Sequence, residues 1–485
     1  MSARARCLGN DRHDASRPLS GLLAPLAFLV RTGRVSAAQL VEASLARIYA
    51  ARDLNAVTVV REEALEEARA IDAAVARGED PGPAAGLPLL VKDIEDVAGL
   101  ATTFGSLLYS DASPAARDGV VAGRMRDAGA IVLGKTNVPE FAFEGFTANR
   151  LFGPTRNPWS LRHSPGGSSG GSAAALAAGL APIATATDVG GSVRIPASFC
   201  GLVGLKPTVG LIGRDPVLAS PDLNSHGILA ATVADVRLLL EILAGPVAGD
   251  VGALPKVRAP ELQTPVRLLA ADRLVPDHRP SIAIATAYEK AVIDASNVLG
   301  RPFELIEPRD VFPHGYQPED WFRIVGVEQA HLLGRQMIEA EMDRFDPVFR
   351  RAMVAALAIP FGEYLEARQR RYRYAREIDE LLGESAVLLT PTVLVDGWSP
   401  DGVLEGRSEP GLPGSVFNTE PVNLTGHPAI TLPAGLLANG LPFGLQVIGP
   451  RFGDSMLLDL AERWETARPW SLVAPGYRPF GAEFE

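Results

Sequence analysis

The sequence predicts an α/β fold, one large domain built on a sheet with parallel strand pairs. Three observations predict it. Short apolar runs bounded by turn residues, "LPLLVKD" (87–93) and "AIVLG" (130–134), read as buried strands. These strands alternate with helical patterns up to about residue 188, the order that generates parallel pairs. The 485-residue chain is also 47% hydrophobic, enough for a large core.

Residues 1–17 are polar and irregular and read as disordered. Helices are expected at about 19–31, at 36–51 with Ser36 as N-cap, and at 61–77, ending at Gly78. "GEDPGPAAG" is a loop before the strand that ends in Lys92 and Asp93. Helix 117–128 precedes strand 130–134, and helix 172–179 precedes strand "PIATATD" (182–188). From about 250 to 385 the texture shifts to proline-rich loops and long helices, near 281–299, 320–344 and 361–382. Strand character returns in "AVLLTPT", "AITLPAG" and "FGLQVIG", and helix 454–467 closes the pattern. These late strands are expected to rejoin the first sheet. That makes residues 18–475 one domain with a helical, peripheral insertion, and 476–485 a C-terminal tail.

Composition narrows the function. The net charge is −11 with no basic stripe, which argues against a nucleic-acid groove. Two cysteines, Cys7 and Cys200, exclude a disulfide framework and suit a reduced cytoplasm. No CxxC or HExxH pattern is present, so no metal site or cofactor is expected. The apolar run from Leu22 to Val30 is too short to span a bilayer and lacks a cleavage site after it, so no membrane association is expected.

Two motifs mislead. "GAIVLGKT" (129–136) fits the phosphate-loop pattern by letter, but a helix precedes it and its interior is that of a buried strand. "GGSSG" (166–170) fits the nucleophile elbow, yet "TRNPWSLRHSP" before it is no strand. That elbow would need a later histidine, and His427 is the best of those available. It reads instead as a turn residue before a strand.

"SPGGSSGGS" (164–172) does suggest a serine hydrolase, and raises the question of the base. A second serine site, "TDVGGSVRIPASFCG", places Ser192 after Asp188-Val-Gly-Gly. Val189, Gly190 and Gly191 follow a strand, so their N–H groups and that of Ser192 can form an oxyanion nest. Ser168 and Ser192 lie 24 residues apart, one helix and one strand, which returns the chain to the same end of the sheet.

"GGSSGGS", "DVGGSVR" and the upstream "VKD" together resemble the amidase signature family. The resemblance extends over most of the chain, through "GKTNVPEFAFEGFTANRLFGPTRNPW", "CGLVGLKPTVG", "TVADVRLLLEILAG" and "PVNLTGHPAITLPAG". It implies the amidase signature fold, a large mixed twisted β-sheet core flanked by helices. It also implies a Ser–cis-Ser–Lys triad: Ser192 as nucleophile, Ser168 as bridging serine with a cis bond to Gly167, and Lys92 as base. Val189, Gly190, Gly191 and Ser192 match the oxyanion amides, Asp188 and Arg194 a supporting pair, and Ser169 a supporting hydroxyl. A lysine is a base only when neutral, and burial at the end of "PLLVK" would lower its pKa. Asp93 and Asp96 read as structural. The sequence departs from the family pattern at "KDIEDVAG", Ile228 and Ala231, outside the triad.

The leading expectation is an amidase that cleaves a C–N bond of a small amide, anilide or carbamate, cytoplasmic, a monomer or homodimer, with no nucleic-acid or membrane partner. The first alternative is the glutamine-hydrolysing subunit of a tRNA-dependent amidotransferase. A glutaminase pocket needs an arginine for the substrate carboxylate and an acid for its amine, whereas "VFPHGYQPEDWF" (311–322) hints at an apolar or aryl substrate. A histidine-based esterase of the α/β-hydrolase type and a non-catalytic scaffold complete the alternatives.

Overall fold

The computed structural model describes residues 21–216, 219–255, 267–404, 407, 410 and 416–484. The expected disorder at 1–17 and the first residues of the 19–31 helix lie outside them.

Among the described residues, eleven strands form one sheet. In chain order they are β1 (Val57–Val60), β2 (Pro88–Lys92), β3 (Ile131–Thr136), β4 (Ile183–Asp188), β5 (Val203–Lys206) and β6 (Ser225–Ala230), then β7 (Arg267–Ala270), β8 (Phe303–Leu305), β9 (Ala386–Pro391), β10 (Ala429–Leu436) and β11 (Pro442–Ile448). Their order across the sheet is β1-β3-β2-β4-β6-β5-β10-β11-β9-β7-β8. The pairs β2–β3, β2–β4, β7–β8 and β7–β9 are parallel, and the other six are antiparallel. The sheet is therefore mixed, and the late strands do rejoin the early ones.

Helices cover both the sheet and its edge. The early ones are α1 (Leu23–Arg31), α2 (Ala37–Ala50), α3 (Ala64–Ala76), α4 (Val120–Asp127), α5 (Gly170–Ala177), α6 (Arg194–Cys200) and α7 (Val233–Leu243). Ser36 caps α2 in a reciprocal box with Gln39, at 3.0 and 2.9 Å. Later come α8 (Ile282–Leu299), α9 (Pro308–Val311), α10 (Asp320–Leu333), α11 (Arg335–Ala340), α12 (Pro347–Leu357), α13 (Phe361–Leu382), α14 (Glu420–Thr425) and α15 (Asp454–Ala467). The expected single helix 320–344 is broken at Gly334, whose φ of 82° is left-handed and ends α10. Residues read as a tail pack against α2: Arg47 donates to the carbonyls of Arg478 and Pro479 and pairs with Glu483 at 2.6 Å.

"GAIVLGKT" is β3, with all six strand residues buried. No helix among the described residues is long and apolar enough to cross a membrane.

The topology explains where a site can form. β2 and β4 are parallel neighbours, so their C-terminal ends, Lys92 and Asp188, share one edge of the sheet. α5 packs on β4 and leads the chain back to that strand's start, so its own beginning, just after Ser168 and Ser169, lies at the same edge. Open α/β sheets bind ligands outside the carboxyl ends of their strands.

Candidate active site

Lys92 is fully buried at the last position of β2, whose other residues are buried and apolar. Its Nζ meets Ser168 Oγ at 2.8 Å and Thr187 Oγ1 at 2.8 Å. Burial lowers its pKa from 10.5 to about 7, against the opposing pull of Glu95 and Asp188. Near neutral pH a large share of these amines is therefore unprotonated. The Gly167–Ser168 peptide bond is cis. A side chain at Gly167 would run into the carbonyls of Phe146 and Glu144, which pack directly against that bond.

Ser192 is half-buried and lines a pocket together with Ser168, Thr187, Val189 and Gly190. The structure thus brings Lys92 and Ser168 into direct contact and opens Ser168 and Ser192 onto the same space. Ser169 holds the loop from behind, with Oγ 3.4 Å from both the N–H and the carbonyl of Thr187. Its own N–H donates to the Ser192 carbonyl at 3.3 Å.

Asp188 and Arg194 anchor the loop between them. Arg194 is fully buried and donates to both Asp188 oxygens, at 2.8 and 2.9 Å. Burial works against the Asp188 carboxylate, yet the Arg194 guanidinium and Asn423 hold it well below the usual range. Asp188 then accepts from Gly191 N–H at 2.8 Å and Val193 N–H at 3.2 Å. Here the geometry departs from expectation. The Gly191 N–H is committed to Asp188, which leaves the amides of Val189, Gly190 and Ser192 as the ones no hydrogen bond among the described residues uses. Gly191 serves by space and conformation: its φ is 125°, and a Cβ there would collide with the Thr419 side chain.

Several contributing residues take no role from the sequence motifs, Trp321 entering there only as part of the aromatic stretch 311–322. Thr187 is the second partner of Lys92. Thr419 Oγ1 donates to the Gly190 carbonyl at 2.7 Å, and the Trp321 indole donates to the Val189 carbonyl at 2.8 Å. Gln446 and Asn423 accept from Arg194 at 2.8 and 2.5 Å. All but Thr187 lie more than a hundred residues from the loop they support, so no local spacing signals them. Of the stretch 311–322, Trp321 is the member that faces the pocket; Phe312 and Tyr316 pack on Tyr374 in the core. Asp93 pairs with Lys135 at 3.5 Å, a buried structural contact. His427 sits in the turn before β10, its Nε2 3.2 Å from Asp379, and is not among the pocket-lining residues.

A buried lysine amine, a serine hydroxyl bonded to it, a second serine hydroxyl lining the same pocket and unused amides beside it make a site suited to acyl transfer without a histidine. Residues 39–458 match the family model described as amidase. The chain belongs to the amidase signature family and is by that membership an amidohydrolase. It is 35% identical to a glutamyl-tRNA(Gln) amidotransferase subunit from Synechococcus sp. (strain CC9605), over 92% of this chain and 97% of the relative. Among solved structures it resembles a 6-aminohexanoate cyclic dimer hydrolase complexed with substrate, at 31% identity and a TM-score of 0.81, covering 94% of this chain and 98% of that one. It also resembles a bacterial aryl acylamidase of the amidase signature family, at 26% identity and a TM-score of 0.82, covering 93% and 96%.

These relatives correct one expectation. A small-molecule substrate alone, with no nucleic acid and a monomer or homodimer, does not follow when the relatives are named as one subunit of an amidotransferase of glutamyl-tRNA. The physical reason is the reach of the charge argument. A net charge of −11 argues against a phosphate groove on this chain. It says nothing of a nucleic acid held by a partner protein.

Proposed function

We propose that the chain hydrolyses an amide C–N bond through an acyl-enzyme on Ser192. Neutral Lys92 takes the Ser168 hydroxyl proton while Ser168 takes that of Ser192, and Ser192 Oγ adds to the substrate carbonyl carbon. The amides of Val189, Gly190 and Ser192 receive the oxyanion; each such donor is typically worth about 3 kcal/mol in the transition state. Collapse of the adduct breaks the C–N bond, and the proton on Lys92 returns through Ser168 to the leaving nitrogen. Water then adds to the acyl ester by the same relay, releasing the acid and restoring Ser192. The observation that carries this reading is the 2.8 Å contact of Lys92 Nζ with Ser168 Oγ, in the pocket that Ser192 also lines.

Two substrates have support. The names of the relatives favour glutamine, with its ammonia passed to a partner that works on tRNA. The pocket favours an amide with an apolar or aryl part: Phe141, Phe143, Ile195, Trp321, Val325 and Val416 line it, and its described lining holds no arginine or lysine for an α-carboxylate. Turnover of glutamine and of a panel of p-nitroanilides, carbamates and esters by the purified chain separates the two, with Ser192→Ala as control. Loss of all turnover in Ser192→Ala is expected. Undiminished turnover in that variant overturns the mechanism.

A further inference from the structure

The pocket that Ser192 lines contains two carboxyl groups and, among its described lining residues, no lysine, arginine or histidine. Glu420 opens α14, one residue after the Thr419 that braces the Gly190 carbonyl. It is 7% exposed, and no hydrogen bond or ion pair engages its carboxyl among the described residues. Glu144 is half-buried, and its own carbonyl packs on Gly167 beside the bond to Ser168. Both acids therefore sit in the immediate frame of the reacting hydroxyls.

Glu420 thus lacks the cation or hydrogen-bond donors that usually meet a buried carboxylate. Burying a carboxylate costs several kcal/mol unless a cation or hydrogen-bond donors meet it. Burial pushes Glu420 well above the usual range and Glu144 up to about 7, with Asp346 adding to the rise at Glu144 and Arg351 opposing it. The surrounding walls suit a cation. Trp321 lies against Gly190, and its ring centroid is 5.8 Å from that of Phe143. Aromatic faces attract ammonium groups, more strongly where water is excluded. Trp321, Val325 and Gln329 are spaced four apart on α10, so one helix face lines the same space.

We propose that this pocket selects amides that carry a protonated amine, held by the carboxylates of Glu420 and Glu144 against the faces of Trp321 and Phe143. The inference rests on the amide-hydrolase reading and narrows its substrate class to amino-substituted amides. The apolar walls then contact the carbon chain between the ammonium and the scissile carbonyl.

The test uses the full chain at pH 8 and two inhibitors of equal shape, n-pentylammonium and 1-pentanol, against hydrolysis of a p-nitroanilide. The expected result is an inhibition constant at least about tenfold lower for the ammonium, equivalent to about 1.4 kcal/mol. Glu420→Gln and Glu144→Gln, both near-isosteric, should each shrink that ratio toward one while inhibition by 1-pentanol stays close to the wild-type value. Equal inhibition of the wild-type chain by the two compounds overturns the proposal, and so does a preference for ammonium that survives in both variants. Ser192→Ala reports separately on the hydrolase reading, because its turnover does not depend on which inhibitor the pocket prefers.

Discussion

Replacing Lys92 with methionine probes the state of the buried amine through stability instead of rate. The lysine has a pKa of about 7 in the fold and 10.5 as a free side chain. The unfolded chain therefore binds more protons than the folded one between these values, and stability rises with pH across that window. Each pH unit is worth about 1.4 kcal/mol for one group. The hydrogen bonds lost with Nζ, to Ser168 and Thr187, shift the absolute stability of the variant but not its dependence on pH. Methionine cannot titrate. The free-energy difference between the wild-type chain and Lys92→Met should thus move by about 3 kcal/mol in favour of the wild type between pH 7.5 and 9.5. Urea denaturation of both proteins at several pH values reads it directly. A flat difference over that range would mean that the folded lysine stays charged, and the base assignment would fall with it.

Other consequences follow from the same geometry. Arg194→Met leaves Asp188 buried without its cation and should cost about 3–5 kcal/mol in urea unfolding; a cost under about 1 kcal/mol would show that the pair does not anchor the loop. Gly191→Ala drives a side chain into Thr419 at a φ of 125°, and should lower kcat about a hundredfold while far-UV circular dichroism remains that of the wild type. Wild-type kinetics would contradict the close approach seen there. Glu95 raises the Lys92 pKa, so Glu95→Gln should move the acid limb of the kcat/KM profile to lower pH; a shift to higher pH would reverse the sign of the proposed coupling.

What the sequence made legible depended on locality. The buried strand that becomes β2, and helices α13 and α15, each advertise themselves within a few residues by an apolar run or a sustained helical period. β5 and β6 do not: "VGLK" and "SHGILA" are short, end in or contain polar residues, and become strands because they pair with each other and with β4 and β10. The helix expected over 320–344 overran Gly334, since the period continues on both sides of the break. α12 was missed because it follows that overrun closely. At the site, Ser168 and Ser192 stood out through glycine-rich motifs that each occupy one loop, and Lys92, at the end of β2, through the family resemblance those motifs carry. Thr419, Asn423 and Gln446 did not, because their roles exist only after more than two hundred residues of chain have folded back onto Arg194 and Gly190. The commitment of the Gly191 amide to Asp188 is likewise a matter of loop conformation, which the letters "DVGGS" leave open.

The central claim is that a neutral lysine activates Ser192 through Ser168. Its most direct measurement is the rate of Ser192 acylation by an activated p-nitrophenyl ester, followed by intact-protein mass spectrometry as a function of pH. The account predicts an acyl adduct on Ser192 whose rate of formation falls about tenfold for each pH unit below 7 in the wild-type chain, and no such pH-dependent adduct in Lys92→Met. Acylation of the methionine variant at the wild-type rate, with the same pH profile, would contradict it.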